Sequence, residues 1–291
     1  MTAEAEAIAH GAATIVNAIA LGKGAAFGVD LWTKAEVRLT DEPNVIKGEI
    51  TSDPTENTAL IEKTVARVLQ HFRVAKLYGA KVKTESNIPI ARGLKSSSVA
   101  GNAVALATTA ALGKTLEDIA LIRLGVDAAF DAKVTVTGAF DDACASYFGG
   151  AVITDNLKKK LLKRVVLTDD LTVLFHVPSE KAYTSNSNVN RMRTVKPLVK
   201  IAYNEALKGN FWSAISLNGI IYSSTLGYDP SVALDALAAG ALAAGLCGKG
   251  PAVTAVVPSS RIDAVKTALR NHEGQVLQAR LNYEKAKVIP Q

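Results

Sequence analysis

The chain's 291 residues exceed the usual size of one domain, so one or two domains are expected, arranged as two lobes that share a cleft. With 48% hydrophobic and 21% charged residues the composition is globular and excludes general disorder. The net charge of +6 comes with only 5% aromatics and with basic residues spread along the chain; this argues against a nucleic-acid partner and suits a protein that handles phosphates and carboxylates.

The longest apolar, small-residue stretch, Ala233 to Cys247, is interrupted by Asp235, Gly240 and Gly245 and is too short to span a bilayer. The opening MTAEAEAIAH has acidic residues where a signal peptide needs basic ones. No membrane association and a cytoplasmic location are therefore expected. Cys144 and Cys247 lie in unrelated contexts without metal-ligand spacing and read as small buried residues.

In chain order, His10 to Asp30 is a small-residue segment with Gly22, Gly24 and Gly28 around Lys23, a lysine that either meets a phosphate or carboxylate or is exposed in a loop. Phe27 to Leu39 alternates as a strand, and Val45 to Thr51 is expected as its hairpin partner. Residues 56–77 place Leu60, Ile61, Val65, Val68, Leu69 and Phe72 at helical spacing, which predicts an amphipathic helix packed on a sheet. A strand over Lys81 to Ser86 leads into a loop, Asn87 to Leu94, and a helix from Ser96 to Leu112. Thr115, with Asp118 in the first turn, is read as the N-cap of a helix reaching Ala132.

Strands are expected at Ser146 to Thr154 and Leu171 to Val177, and the lysine-rich turn between them, with the run Lys158 to Arg164, is read as a solvated strand edge and lobe boundary. Helical patterns follow at 189–207, 211–225 and 231–243, then a strand at 253–257, a helix at 260–271 and a strand near 275–280. Strands and helices interleave without a fixed repeat, so the class is α/β or α+β.

Four segments carry candidate chemistry. Pro89 to Gly101, PIARGLKSSSVAG, joins a strand to an Ala-rich helix: Gly93 can adopt backbone angles closed to other residues, and Ser96, Ser97 and Ser98 bring hydroxyls and N–H groups to a helix start, a ready anion site. No Walker A spacing occurs. In TGAFDDACASYFGG, Thr137 to Gly150, Asp141 and Asp142 follow a glycine turn, where an Asp can take or orient the proton of an attacking hydroxyl or serve as a turn residue. In AGLCGKGPA, Ala244 to Ala252, the density of Gly245, Gly248 and Gly250 either lets the backbone approach a ligand or another chain segment closely or makes ordinary tight turns. The polar stretch Thr184 to Arg193 supplies neutral hydrogen-bonding groups, and Arg191 or Arg193 can pair bidentately with a carboxylate.

Together these segments resemble the three motifs of the GHMP kinases. The middle motif, P-x-x-x-G-L-[GK]-S-S-[AS], is satisfied by Pro89, Gly93, Leu94, Lys95, Ser96, Ser97 and Ser98. Lys95 in place of the usual glycine, and the strings NAIALGKGAAFGVDL and TGAFDDACASYFGG, look most like the archaeal type of shikimate kinase along nearly the full chain.

The resemblance implies an α+β, two-lobed fold with the active site in the cleft between lobes, an ATP-binding domain over residues 1–160 and a C-terminal kinase domain over 161–291. It implies ATP and Mg²⁺ as cofactors, and small-molecule partners only: ATP and shikimate, with another small alcohol such as homoserine or mevalonate as the alternative acceptor. It places the nucleotide on Pro89, Ile90, Ala91, Arg92, Gly93, Leu94, Lys95, Ser96, Ser97 and Ser98, with Ser97 as a magnesium ligand. The D-[ND]-A pattern makes Asp141 the catalytic acid, with Asp142 the near-equal alternative, and Asp127 or Asp131 the further metal ligand. Lys23, Arg191, Arg193, Gly248 and Gly250 are the candidates for holding the acceptor.

Overall fold

The computed structural model describes residues 3–167, 170–182 and 188–290. Its first strand, β1 (Glu4–Val16), begins with alternating Glu and Ala, and burial follows the alternation. Ala5, Ala7 and Ala9 face inward, and such small side chains bring a helix close to the sheet. β2 (Lys23–Thr40) runs antiparallel to β1, with irregularities in register between His10 and Gly11 and between Thr14 and Val16.

Besides β1, the 18 residues of β2 serve two further neighbours. The stretch from Lys23 to Phe27 pairs with β5 (Ala151–Asp155), and the stretch from Thr33 to Thr40 pairs with β4 (Gly79–Ser86). β3 (Ile46–Ile50) lies parallel to β4, and the expected hairpin of this segment with the preceding strand does not form. β4 buries Ala80, Val82 and Thr84 and so takes the inner place beside β2, whereas no residue of β3 is fully buried and it sits at the edge. β6 (Lys160–Val165) adds to β5 as an edge strand, as its lysines suggest, and β11 (Lys287–Ile289) returns to β1.

The second sheet has the order β10 (Gln275–Arg280), β7 (Leu171–Val177), β9 (Val253–Pro258) and β8 (Ala243–Leu246). Strand pairing thus keeps residues 160–165 and 287–289 with the first sheet and gives the second sheet strands from 171 onward.

α1 (Ala59–His71) buries the predicted apolar stripe. α2 (Ser96–Ala111) packs over β1 and β2 with mostly Ala, Val and Gly, and α3 (Asp118–Asp131) packs on it. The start of α3 differs from expectation: Glu117, not Thr115, is the extended residue before the first turn, and the acidic side chain in that turn is Asp118.

A larger difference is α4 (Phe140–Phe148): no helix is expected there, and its last residues, 146–148, fall within the segment expected as a strand. Every residue from Phe140 to Tyr147 is buried, so the helix has no polar face for periodicity to reveal. Gly149 and Gly150, both at positive φ, end it and turn the chain into β5.

α7 (Phe211–Leu226) packs on β8, and α5 (Val189–Thr194) and α6 (Lys196–Lys208) pack on α7, all toward the main core, while α8 (Ser231–Ala238) and α9 (Ile262–Arg270) cover the other face of the second sheet. Val173, Phe175 and Val177 of β7 join the main core, while Leu174 joins the smaller one.

Candidate active site

The loop before α2 is held from two directions. The Ala182 N–H donates to Ala91 O at 2.7 Å, and Arg92 Nη1 donates to Pro178 O at 2.7 Å, tying the loop to the segment after β7. The Ala252 N–H donates to Arg92 O at 3.2 Å, and a Cβ on Gly93 would stand 2.7 Å from Cys247 O, so the glycine-rich segment lies directly against the loop.

Ala91 and Lys95, like Ala139 before α4, have positive φ, a conformation that costs a non-glycine residue on the order of 1 kcal/mol and collects at functional sites. With Lys95 left-handed, its carbonyl accepts from the Ser98 and Val99 N–H groups. The N–H groups of Ser96 and Ser97 come before those first helical bonds, at the positive end of α2.

These residues line a cleft of about 400 Å³ together with Asn17, Asp141, Asp142, Gly248, Lys249 and Gly250. Pro89, Arg92 and Leu94 of the predicted nucleotide segment do not line it; Leu94 is instead buried in the core, and Arg92 acts through its bond to Pro178.

The two adjacent carboxylates, both in the first turn of α4, have separate partners. Asp141 is buried and its Oδ1 accepts from Asn156 Nδ2 at 2.8 Å. Its Oδ2 lies against Gly24, where any Cβ would collide with it. Burial, with the charge of Asp142 added, pushes the Asp141 carboxyl up to about 7, against the opposing pull of the Asn156 hydrogen bond and Lys95.

Asp142 instead pairs with Lys95 Nζ at 3.2 Å, and its Oδ1 is buried without a hydrogen-bond partner. Burial works to depress the Lys95 ammonium, but the Asp142 charge, helped by Cys247 and Asp141, outweighs it and the net direction is upward. Lys249, in the loop opposite, is pushed down to about 8 by burial and by the charge of Lys95. Gly248 fits beside this group because a Cβ there would stand 2.5 Å from Lys95 Nζ.

The other candidates fall elsewhere. Lys23 is exposed at the start of β2, opposite Asp155, and is not among the residues lining the cleft. Asp127 is ion-paired with Lys159, and Asp131 makes two bonds to Arg67, at 2.5 and 2.7 Å. Neither lines the cleft; Lys159 and Arg67, from other elements, pair with them. Arg191 and Arg193 are exposed on α5, while residues 184–187 of the same polar stretch lie outside the described residues. Arg193 does, however, line a second hollow of about 430 Å³ that shares Ile19, Val136 and Thr137 with the main cleft.

Sequence reasoning missed Asn17, Gly24, Asn156 and Lys249. Asn17 joins both lobes, its N–H donating to Asn218 Oδ1 at 3.0 Å and its Nδ2 to Gly248 O at 2.9 Å. Asn17 and Gly24 lie in the string NAIALGKG that the sequence had marked, but nothing local distinguished Asn156.

The model for the GHMP kinases N terminal domain matches residues 59–150, from α1 through α4. The chain is 46% identical to a shikimate kinase of Methanosarcina mazei, over 97% of this chain and 96% of that protein. Among solved structures, the mevalonate kinase of Methanococcus jannaschii superposes with a TM-score of 0.76 at 16% identity, covering 97% of this chain and 98% of that one. A structure described as MDDEF in complex with MVAPP, AMPPCP and magnesium superposes with a TM-score of 0.77 at 19% identity, covering all of both chains. With a strained serine loop at a helix start, a buried acid across the same cleft, and full-length likeness to these proteins, the chain belongs to the GHMP kinases, in the branch of the archaeal shikimate kinases.

Proposed function

We propose that the protein transfers the γ-phosphoryl group of ATP to the 3-hydroxyl of shikimate, giving shikimate 3-phosphate and ADP. One observation carries the reading: a buried carboxylate, Asp141, shares a cleft with a serine-rich helix start in a chain similar over nearly its whole length to a shikimate kinase. The ATP phosphates lie over residues 90–98, where the Ser96 and Ser97 N–H groups and the α2 dipole favour anions. Lys95 and Lys249 add positive charge there.

Asp141 accepts the proton of the acceptor hydroxyl as its oxygen bonds to the γ-phosphorus and the bond from that phosphorus to the β,γ-bridging oxygen breaks. Its elevated pKa suits this task, since a base that titrates near neutrality keeps a substantial ionised fraction there and is still basic enough to hold a proton. The neighbouring Lys95 favours the ionised form and disperses negative charge on the phosphoryl group.

Magnesium is a hard cation that takes oxygen ligands, and the unpartnered Asp142 Oδ1 and the serine hydroxyls that line the same cleft are a fitting donor set. Ser97 and Asp142 would hold it, and the ion would neutralise charge on the phosphate oxygens. The acceptor lies beside Asp141 where the cleft continues past Thr137 into the second hollow; Arg193 and Lys196 on the wall of that hollow suit a carboxylate. A coupled ADP-release assay tests the acceptor. Shikimate should support turnover and homoserine and mevalonate should not; turnover with either of those and none with shikimate would move the chain to another acceptor.

A further inference from the structure

Asn156 directly follows β5, and its own N–H donates to Gly22 O at 2.9 Å, so its backbone is fixed across the β2 turn. The side chain is buried and both ends of its amide are engaged. Nδ2 donates to Asp141 Oδ1 at 2.8 Å, and Oδ1 accepts from the Thr154 hydroxyl at 2.6 Å. Thr154 is itself fully buried, and its longer alternative acceptor, Gly24 O, is 3.4 Å away.

An ionised Asp141 accepts only, so it selects the NH₂ end of Asn156, and the threonine hydroxyl completes the lock by donating to the other end. Three elements therefore converge on one carboxylate: Asn156 after β5 holds Oδ1, Gly24 of β2 closes against Oδ2, and α4 carries the backbone.

We propose that Asn156, locked by Thr154, is a positioning residue that holds the Asp141 carboxylate in register for proton transfer. This rests on the reading of Asp141 as the proton acceptor.

The test compares Asn156→Leu, Thr154→Val and Thr154→Ser with the parent enzyme in steady-state kinetics with Mg·ATP and shikimate, the fold of each variant being checked by its Tm. Asn156→Leu removes the donor, so kcat should fall roughly 10- to 100-fold while KM for ATP stays within about twofold. Thr154, whose side chain lines neither hollow, gives the cleaner split: Thr154→Val should lower kcat by less with KM for both substrates within about twofold, and Thr154→Ser should restore what valine loses.

An Asn156→Leu enzyme that keeps the parent kcat, or a serine variant as impaired as the valine one, would overturn the proposal. Should Asn156→Leu fail to fold, the Val and Ser pair at 154 decides alone. Asp141→Asn separates the two claims: full activity in that variant removes the proton-acceptor reading and this inference with it, whereas an inactive Asp141→Asn with the parent kcat in Asn156→Leu removes the inference only.

Discussion

Replacing Asp141 by Asn should weaken catalysis and strengthen the fold at the same time. Asn is nearly isosteric and can present its carbonyl to Asn156 Nδ2, so the packing against Gly24 survives. It cannot accept a proton, and loss of a general base costs on the order of 10²- to 10⁴-fold in turnover. The stability effect follows from linkage. The Asp141 carboxyl is raised from 3.8 to about 7 in the fold, so its contribution is fully favourable only below the unfolded value. That stability is lost progressively as pH rises from about 4 through about 7.

At pH 8 the parent protein bears the whole cost of ionising a buried carboxyl, roughly 2–4 kcal/mol once its coupling to Asp142 and Lys95 is discounted, and at pH 5 only ~1 kcal/mol. Asp141→Asn should therefore raise Tm at pH 8 by roughly 4–10 °C, and by much less at pH 5. Calorimetry of the protein without ligands at both pH values, beside steady-state kinetics, measures both effects. A variant no more stable at pH 8 than the parent would refute the claim that Asp141 is held against its ionisation. Turnover reduced by no more than a few-fold would refute its role as base.

Three further substitutions probe the rest of the cleft. Ser97→Ala should lower kcat/KM for ATP on the order of 10- to 100-fold while changing stability by no more than ~1 kcal/mol, and unchanged ATP kinetics in the folded variant would remove Ser97 from the nucleotide site. Lys95→Met leaves the Asp142 carboxylate buried without its cation and should lower unfolding stability in urea by roughly 3–5 kcal/mol; adding Asp142→Asn should recover most of that loss, and strict additivity of the two would deny the ion pair any role. Arg193→Ala should raise KM for shikimate on the order of tenfold and leave KM for ATP unmoved, whereas a rise in both would place Arg193 outside the acceptor hollow.

The parts of the fold that sequence could reach were those with a polar face. α1 shows its stripe, β4 its alternation, and the Pro89–Ser98 loop its glycine and serines at fixed spacing. α4 stays invisible because a helix buried on all sides has no period to detect, so that only the strand after it is read, begun too early at Ser146; β1 stays invisible because its inward residues near the start are alanines, too weakly apolar to mark a strand. β3 was placed beside the wrong strand because pairing depends on which neighbour can be buried on both sides, a question that the order of residues does not answer.

At the site, the serine loop and both acids were legible, but their division of labour was not. Asp141 and Asp142 are adjacent in sequence, and only the fold gives one to Asn156 and the other to Lys95. The spacing of Asp127 and Asp131 puts them on one helix face, but it does not show that Lys159 and Arg67, from other elements, pair with them there.

A crystal structure with ADP, magnesium and shikimate bound tests the account most directly. The account predicts the ADP phosphates against the Ser96–Ser98 helix start, and the shikimate 3-hydroxyl oxygen within about 2.6–3.2 Å of an Asp141 carboxylate oxygen. Shikimate seated with its 3-hydroxyl on Asp142, or outside the hollow lined by Thr137 and Arg193, would contradict it.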